Sequence, residues 1–388
     1  MDGGLAGLRT AFGSQLCKVL ATDVPPLTLS KPWQQQQQRR PSDSSTSGTA
    51  SPEILEEDID DGRRQEAFSE AHLHLVEPPA DNYLAHRVTA LVFTSPVPSN
   101  PSLEMILAVV ESFRFLPGLA ACRLLITCDG AGKVCDEVRA KRGLVTADLS
   151  NRYQVYVDKL RAAFGNQCIL ALPERVGFGL AVRAAVAKVR TPYVLICQHD
   201  NLFVRPVDLC STVRVMEANA EVLKCVHFVS PKTTFDKGVD GNASFKRVED
   251  RLGRAAGKAK VFDIPSSQGK PATSMTFWPM PSWLERNHVC STAHYRDFVV
   301  GPGTRIKPGQ FIEETFGQRM RKDLAEGGPH ARYGIYRLID DPESATVHLD
   351  GRAYLPMEER QKRGWHLWDL YERLSQQQKA WLEHEESS

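Results

Sequence analysis

The sequence lacks the features that would assign it to several common classes of protein. Its 388 residues include nine cysteines, an odd number, and no two of them are spaced as C-x-x-C. A zinc-finger or thioredoxin-type interpretation therefore has no support. Lys and Arg total 48 against 47 Asp and Glu, so no excess of positive charge indicates binding to nucleic acid. We expect no nucleic-acid partner.

Long apolar runs are missing as well. No stretch of 18 apolar residues occurs, so we expect no transmembrane segment. The first 20 residues lack the apolar centre of a secretory signal. Several cysteines lie inside apolar runs, which is typical of buried thiols in a reducing compartment. Together these features predict a cytoplasmic protein, although a soluble enzyme on the cytosolic face of a membrane would have the same sequence features.

Composition divides the chain into three parts. Residues 1–84 contain five consecutive glutamines, a Ser-rich stretch and an acidic run, and we predict a disordered low-complexity leader, either inert or used for docking. Residues 85–352 have the patterning of a folded domain. Residues 353–388 carry apolar side chains at three- or four-residue steps, which predicts an amphipathic C-terminal helix. That helix would pack back on the domain or bind a partner helix.

The pattern in residues 85–352 predicts an α/β fold with a mostly parallel central sheet flanked by helices. Short apolar runs such as VTALVFTS, RLLITC, QCILALP and PYVLIC alternate with stretches of helical periodicity. The runs are apolar almost throughout, as expected for a sheet covered on both faces. Asn100 is predicted to cap the first of these helices and Ser150 the second.

Polar side chains follow three of the predicted strands at the point where each strand ends. Ser95 follows the first strand, Asp129 the second, and Gln198-His199-Asp200 the fourth. Ligands of open α/β sheets bind at the carboxyl ends of the strands. An aspartate at that position can hold a divalent cation, which in turn neutralises a diphosphate. The alternative for Asp200 is a strand-end cap or Asx turn.

A short glycine turn, Gly177-Phe178-Gly179, precedes the helix after the third strand. Glycine turns at helix N-termini can receive phosphate groups. This turn lacks the third glycine of the dinucleotide fingerprint and does not follow the first strand. The sequence therefore gives no signal for a Rossmann dehydrogenase.

The stretch from Arg175 to Asn201 resembles the central segment of glycosyltransferase family 2, whose members have the GT-A fold, a Rossmann-like α/β fold. The family places a G-x-x-x-A-R-N-x-G motif on a helix and ends the next strand in D-x-D. The helix positions that align with the first motif are Gly177, Ala181, Val182, Arg183 and Ala185. Val182 stands at the family's arginine and Arg183 at its asparagine. Gln198 replaces the first acid of D-x-D, and Asp200 keeps the second.

The resemblance extends to about residue 352 and implies a set of site residues. It assigns contacts with the nucleotide sugar to Ser95, Asp129, Gly177, Arg183, Gln198 and His199. It assigns a Mn²⁺ or Mg²⁺ ion to Asp200, with His348 completing the metal site. It also makes Glu314 the catalytic base, with Glu313 beside it, because Gln310–Glu314 looks like the family's E-D motif.

Each assignment has a simpler alternative. Glu313 and Glu314 could be first-turn acids that the helix dipole favours. His348 could be a histidine that the strand itself satisfies with hydrogen bonds. Trp278 and Trp283 could stack on a sugar, but core packing is the more usual role of tryptophan.

The resemblance thus implies a metal-dependent, inverting glycosyltransferase of the hexosyltransferase type. Its expected partners are a nucleoside-diphosphate sugar as donor and the hydroxyl group of a glycan or other acceptor. One alternative is a catalytically inactive relative that binds sugar nucleotide or glycan, which the replacement by Gln198 favours. A second alternative is a sugar nucleotidyltransferase, although the glycine-rich loop it needs does not follow the first strand. A third is a scaffold that recruits partners through its two terminal segments.

Overall fold

Strands and helices alternate along the N-terminal half of the folded part of the chain, as the sequence predicts. The computed structural model describes residues 83–136, 138, 143–230, 259–265, 274–341, 344–349 and 351. The predicted leader, apart from Tyr83 and Leu84, and the predicted C-terminal helix lie outside these residues. None of the described helices is both long enough and apolar enough to cross a bilayer.

The strands and helices have the following bounds. The strands are β1 (Val88–Thr94), β2 (Arg123–Cys128), β3 (Lys133–Val134), β4 (Leu144–Val145), β5 (Ile169–Ala171), β6 (Tyr193–Gln198), β7 (Asn201–Phe203), β8 (Cys225–His227), β9 (Lys260–Asp263), β10 (Ser274–Pro279), β11 (His288–Ser291), β12 (Ile335–Ile339) and β13 (Thr346–His348). The helices are α1 (Glu104–Glu111), α2 (Ala147–Phe164), α3 (Phe178–Val186), α4 (Leu209–Ala218) and α5 (Gln318–Glu326).

Several short helical segments connect these elements. A three-residue helix, Thr292–His294, continues into the π-helical turn Tyr295–Val299, and a second π-helical turn, Glu313–Gly317, leads into α5. The described 3-10 segments are Leu84–His86, Ser112–Phe115, Leu119–Ala121, Asn166–Cys168 and His330–Arg332.

Nine of the described strands form one mixed sheet in the order β5-β2-β1-β6-β11-β8-β12-β10-β9. Strands β5, β2, β1 and β6 run parallel, whereas β11 is antiparallel to both β6 and β8. Strand β12 runs parallel to β8, and β10 runs antiparallel to β12 and β9. The predicted α/β class with a central sheet flanked by helices is confirmed, and the sheet is parallel through the half that carries the strand-end motifs.

The sheet is covered on both faces because its central strands are apolar along their whole length. All seven residues of β1 are buried, and one apolar cluster packs on each side of the sheet. Val88, Ala90 and Val92 face the cluster with α1, α2 and α4, whereas Leu91 and Phe93 face the cluster with α3 and α5. The alternation of strand side chains between two apolar layers explains the absence of a polar face in the sequence pattern.

Both predicted helix caps are wrong. Helix α1 begins at Glu104, because Asn100 Oδ1 instead accepts a hydrogen bond from the backbone N–H of Val97 at 2.8 Å and closes a turn. Helix α2 begins at Ala147, where Thr146 Oγ1 accepts from the N–H of Leu149 at 3.2 Å. An earlier capping residue was available at this N-terminus, so Ser150 lies inside the helix.

Candidate functional site

The parallel strands define a crevice between the carboxyl ends of β1 and β6. The chain proceeds from β1 outward to β2 and β5, and then returns to the other side of β1 as β6. Connections on the two sides of such a reversal leave opposite faces of the sheet, and ligands bind in the gap that this creates. Ser95 and His199–Asp200 follow directly on the two strands that flank the reversal.

The structure brings Asp200 and His348 together at this point. Strand β13 pairs antiparallel with β7, and this register sets His348 opposite Asn201, the neighbour of Asp200. The Nε2 atom of His348 lies 3.2 Å from Oδ2 of Asp200. The backbone N–H of Leu349 also donates to the main-chain oxygen of Asp200 at 2.7 Å. The two predicted metal ligands, 148 positions apart in the sequence, therefore share one site.

Gly351 completes the surroundings of the Asp200 carboxylate. Its backbone N–H donates to Asp200 Oδ2 at 2.9 Å. A Cβ atom at position 351 would lie 3.0 Å from Asp200 Oδ2 and 3.0 Å from His199 Nε2. The backbone can approach the two side chains this closely only because position 351 has no side chain. Sequence reasoning missed Gly351, and the Asp350-Gly351 dipeptide after β13 was its only local signal.

The electrostatics of the site favour an ionised Asp200. Burial by itself raises the pKa of this carboxyl, but the hydrogen bond from His348, the charges of His199 and His348, and the Gly351 N–H together hold the pKa below its ordinary value. Its Oδ1 atom is buried and has no hydrogen-bond partner among the described residues. Asp200 thus keeps one buried oxygen without a hydrogen-bond partner among the described residues, next to the end of β6.

His199 joins the site to the end of β1. Its Nδ1 atom lies 2.6 Å from Oγ1 of Thr94, which in turn lies 3.1 Å from the hydroxyl of Tyr156. Burial lowers the pKa of His199; the charge of Asp200 opposes this shift and that of His348 adds to it. A neutral imidazole whose Nδ1 is held by Thr94 leaves Nε2 directed at the neighbourhood of Gly351 and Asp200.

Asp129 holds the loop that precedes α3. Its Oδ1 accepts from the N–H of Val176 at 2.7 Å and of Gly130 at 3.1 Å, and its Oδ2 accepts from the N–H of Gly177 at 3.0 Å. Burial raises the pKa of Asp129, and these backbone donors and the Arg175 charge oppose that rise. The carboxylate that the resemblance assigns to the nucleotide is thus also the anchor of the glycine turn.

The N-terminus of α3 is occupied by contacts within the protein. The N–H of Gly177 is bonded to Asp129, and the N–H of Gly179 donates to the main-chain oxygen of Gln310 at 3.3 Å. A phosphate at this turn would have to exchange these bonds. Gly177 has φ +85°, and a Cβ atom there would lie 2.6 Å from Cα of Gly309, so the turn requires glycine for both reasons.

The remaining predicted nucleotide contacts lie in different surroundings. Ser95 is half-buried directly after β1. Gln198 ends β6, and its Nε2 donates to the main-chain oxygen of Glu285 at 3.3 Å. Arg183 donates through Nε to the main-chain oxygen of Val300 at 2.6 Å and through its Nη2 to that of Thr304 at 3.0 Å. These bonds place the Arg183 guanidinium against the loop after the Tyr295–Val299 turn, and the structure does not join it to Asp200.

The acid pair lies at the start of a helical segment, as predicted. Glu313 and Glu314 are exposed, and Oε2 of Glu314 accepts from the N–H of Phe311 at 3.2 Å. Sequence reasoning missed a third acid here. Glu285 is only 6% exposed, and its Oε1 accepts from the N–H groups of Ile312 and Glu313, the latter at 3.3 Å. Burial raises the pKa of Glu285 well above its ordinary value, and the negative charges of Glu313 and Glu314 add to the rise.

The two tryptophans differ in exposure. Trp283 is fully buried and packs edge-on against His227, Tyr295 and Phe316, so it belongs to the core. Trp278 on β10 is 39% exposed. Stacking on a sugar therefore stays open for Trp278 alone.

The donor set at Asp200 fits a divalent cation held jointly with a bound diphosphate. Asp200 supplies one buried oxygen without a hydrogen-bond partner, and His348 Nε2 points at the same carboxylate. Mg²⁺ is commonly held by one or two protein ligands together with substrate phosphates. No group of three or more His, Cys, Asp and Glu side chains that could hold a metal ion occurs within the described ranges.

Comparison with known proteins gives structural likenesses at low sequence identity. The structure is similar to that of S. aureus TarS 1-349, with 13% identity, a TM-score of 0.34, and coverage of 72% of this chain and 63% of that one. For TarS 1-349 in complex with UDP-GlcNAc the identity is 12%, the TM-score 0.37, and the coverage 69% and 62%.

A third likeness is glucosyl-3-phosphoglycerate synthase from Mycobacterium tuberculosis in complex with Mg²⁺ and uridine-diphosphate. Here the identity is 11%, the TM-score 0.27, and the coverage 54% of this chain and 58% of that one. The chain thus spans less than two thirds of the length of these chains. No family model and no curated protein matches the sequence.

Proposed function

We propose that this protein is a metal-dependent, inverting glycosyltransferase that moves a sugar from a nucleoside-diphosphate sugar to an acceptor hydroxyl. The observation that carries the proposal is the Asp200–His348 pair at the topological reversal of the sheet, with Asp200 Oδ1 buried and unpartnered. A buried carboxylate oxygen without a hydrogen-bond partner is available as a ligand. Asp200 would hold the cation there, and the cation would offset the charge of a bound diphosphate.

The residues present divide the chemistry between two places. Asp200 and His348 would hold Mn²⁺ or Mg²⁺, and the ion, when bound, stabilises the negative charge that develops on the departing diphosphate. His199, fixed by Thr94, keeps a neutral imidazole beside that carboxylate. A carboxylate of the acid pair, Glu314 with Glu313 beside it, accepts the proton of the acceptor hydroxyl.

The geometry around the acid pair agrees with a role as general base. Both side chains are exposed, so an acceptor can reach them. The bond from the Phe311 N–H fixes Oε2 of this exposed Glu314 side chain. A base on the face opposite the diphosphate would direct the hydroxyl to the far side of the anomeric carbon, and the product would have inverted stereochemistry.

A catalytically inactive protein that binds sugar nucleotide is the second candidate. It is favoured by Gln198, which stands at the first acid of D-x-D and uses its amide to hold the main chain of Glu285. This candidate predicts metal-dependent binding of donor without its turnover.

Thermal unfolding with UDP-GlcNAc, UDP-glucose or GDP-mannose, each with and without Mn²⁺, tests binding, because a ligand of the native state raises the apparent melting temperature. Release of UDP or GDP from the same donors tests turnover. We expect a shift that requires Mn²⁺, and turnover that Asp200→Ala and Glu314→Gln each lower by at least about 100-fold. Unchanged turnover in both variants would overturn the assigned site. A Mn²⁺-dependent shift without turnover would establish the inactive binder.

A further inference from the structure

Glu285 occupies an unusual position for a carboxylate. It is nearly fully buried, and its Oε1 accepts from two consecutive backbone N–H groups, those of Ile312 and Glu313. These groups begin the π-helical turn that carries the acid pair, and Ile312, its N-cap, makes no side-chain capping bond of its own. Because the first N–H groups of a helix have no partner within it, Glu285 provides the cap from 27 positions away.

The same residue is tied to the metal side of the crevice. The main-chain oxygen of Glu285 accepts from Nε2 of Gln198, the last residue of β6. Asp200 follows Gln198 by two positions. Glu285 therefore bonds to β6 through its backbone and to the acid-pair segment through its side chain.

Packing beside Glu285 reinforces this link. The Trp283 ring lies edge-on to Phe316 with ring centroids 5.5 Å apart. A Cβ atom on Gly317 would lie 3.3 Å from both Cβ and the main-chain oxygen of Trp283, so the two segments run in close backbone contact. The segment 282–285 thus supports the turn 313–317 along its length.

We propose that Glu285 is a positioning residue that holds the Glu313–Glu314 pair at a fixed distance from the strand end that carries Asp200. The effect of Glu285 on catalysis rests on the proposed function. The structural link between Glu285 and the turn 313–317 does not depend on it. This link also explains why a carboxyl group occupies this buried place. A carboxyl oxygen that is ionised, or that shares its proton, accepts hydrogen bonds from two backbone N–H groups more strongly than the oxygen of a neutral side chain does.

The ionisable groups that face Glu285 are Glu313 and Glu314 on the turn, Tyr295 on the neighbouring turn, and Arg286, which bonds to the same main-chain oxygen. Burial and the negative charges of Glu313 and Glu314 hold the pKa of Glu285 well above its ordinary value. Glu285→Gln keeps the size of the side chain and an oxygen that can accept hydrogen bonds, so it serves as the conservative variant.

The test uses Glu285→Gln, Glu285→Ala and a matched control, Asp208→Ala. Asp208 caps α4 by accepting from the N–H of Ser211 at 2.8 Å, and it lies outside the site. Hydrogen–deuterium exchange of the full-length protein should show faster exchange in residues 311–317 for Glu285→Ala, by at least about tenfold, with α4 unchanged. Asp208→Ala should instead speed exchange in α4 and leave residues 311–317 unchanged. Unchanged exchange in 311–317 would overturn the proposed link.

Activity then tests the catalytic meaning, with UDP release from UDP-GlcNAc and UDP-glucose and GDP release from GDP-mannose. We expect Glu285→Ala to lower kcat at least about tenfold with little change in KM for the donor. Glu285→Gln should retain more of kcat than Glu285→Ala does, because its side-chain oxygen can still accept from the two backbone N–H groups. If the wild type turns over and both variants behave like Asp208→Ala, the positioning role is wrong. If the wild type turns over none of these donors, the proposed function fails and exchange alone decides the link.

Discussion

The Nε2 atom of His348 lies 3.2 Å from Oδ2 of Asp200, and the pairing of β13 with β7 fixes this contact. Asp200 follows the last strand of the parallel half, and His348 ends β13, which pairs with β7 in a two-stranded ribbon. Asp200 is nearly buried, whereas the His348 side chain is 31% exposed. The pair is therefore anchored on its acidic side and open to solvent on its basic side.

A double-mutant cycle with Asp200→Asn and His348→Gln measures this contact. We expect a coupling of about 1 kcal/mol in the free energy of unfolding at pH 7, since partial exposure of His348 weakens the pair. The folded pKa of Asp200 lies below its unfolded value, so this contribution is complete above about pH 4 and is lost as the pH falls through the folded pKa. Urea unfolding at pH 7 checks it, and a coupling indistinguishable from zero would contradict the contact.

Replacement of Gly351 tests the close approach of the backbone to the site. In Gly351→Ala the added methyl group would lie 3.0 Å from Asp200 Oδ2 and from His199 Nε2, so the carboxylate must move. We expect a loss of about 1–3 kcal/mol in the free energy of unfolding and weaker Mn²⁺-dependent donor binding. Gly303→Ala is the control, because a Cβ atom there meets nothing within 4 Å. Equal effects of the two substitutions on donor-induced thermal shifts would argue against the assigned site.

Gly177 tests the turn before α3. Gly177→Ala combines the cost of φ +85° with an overlap, since the Cβ atom would lie 2.6 Å from Cα of Gly309. Gly143→Ala provides the matched control: it also has positive φ, +68°, but its nearest neighbours lie at 3.6 Å or beyond. We expect Gly143→Ala to cost about 1 kcal/mol of stability and Gly177→Ala at least about 2 kcal/mol more, measured by chemical unfolding. Equal losses of stability in the two variants would show that the loop around Gly309 can move to make room for the added methyl group.

The strands were predictable because each is apolar along its length and is followed by a polar residue. This pattern located β1, β2 and β6 and, with them, the carboxyl end where Asp200 lies. The helix caps were not predictable, because more than one residue with a suitable oxygen stood near each N-terminus. At α2 the capping residue is Thr146 rather than Ser150, and this is seen only in the packed structure.

The missed residues share a different cause. Glu285 and Gly351 act on parts of the chain that are distant in sequence: Glu285 caps a turn 27 positions later, and Gly351 bonds to Asp200, 151 positions earlier. Glu285 has no neighbour in sequence that marks it as part of a site, and the Asp350-Gly351 dipeptide is the only local signal for Gly351. Tertiary contacts of this kind become visible only once the sheet order and the β7–β13 pairing are known.

A buried aromatic cluster beside β8 and β11 supplies a prediction about acid sensitivity. His227 is fully buried, its ring stacks on that of His288 at 4.7 Å, and both of its nitrogens lack a hydrogen-bond partner among the described residues. Burial holds the pKa of His227 well below its ordinary value, and the charges of His288 and Arg286 add to this shift. The folded protein therefore resists protonation of this side chain.

His227→Phe replaces the imidazole by an apolar ring and removes both buried nitrogens. We expect the free energy of unfolding to rise by about 1 kcal/mol at pH 7, since unsatisfied buried polar atoms cost about that much or more. Because the folded pKa of His227 is lowered, the unfolded chain takes up a proton below about pH 6.5 and the wild type loses stability there. The advantage of the variant should therefore grow between pH 7 and pH 5, by up to about 1.4 kcal/mol per pH unit.

Urea unfolding of both proteins at pH 7, 6 and 5 measures this difference. His330→Phe serves as the comparison: His330 is half-buried with its pKa lowered to about 4, but its Nε2 is hydrogen-bonded to the main-chain oxygen of Met280 at 3.1 Å. His330→Phe should show the same pH dependence but lose stability at pH 7, because the main-chain oxygen of Met280 would lose its hydrogen bond. A loss of more than about 1 kcal/mol at pH 7 in His227→Phe would contradict this prediction. It would show that the two nitrogens of His227 have hydrogen-bond partners that stabilise the fold.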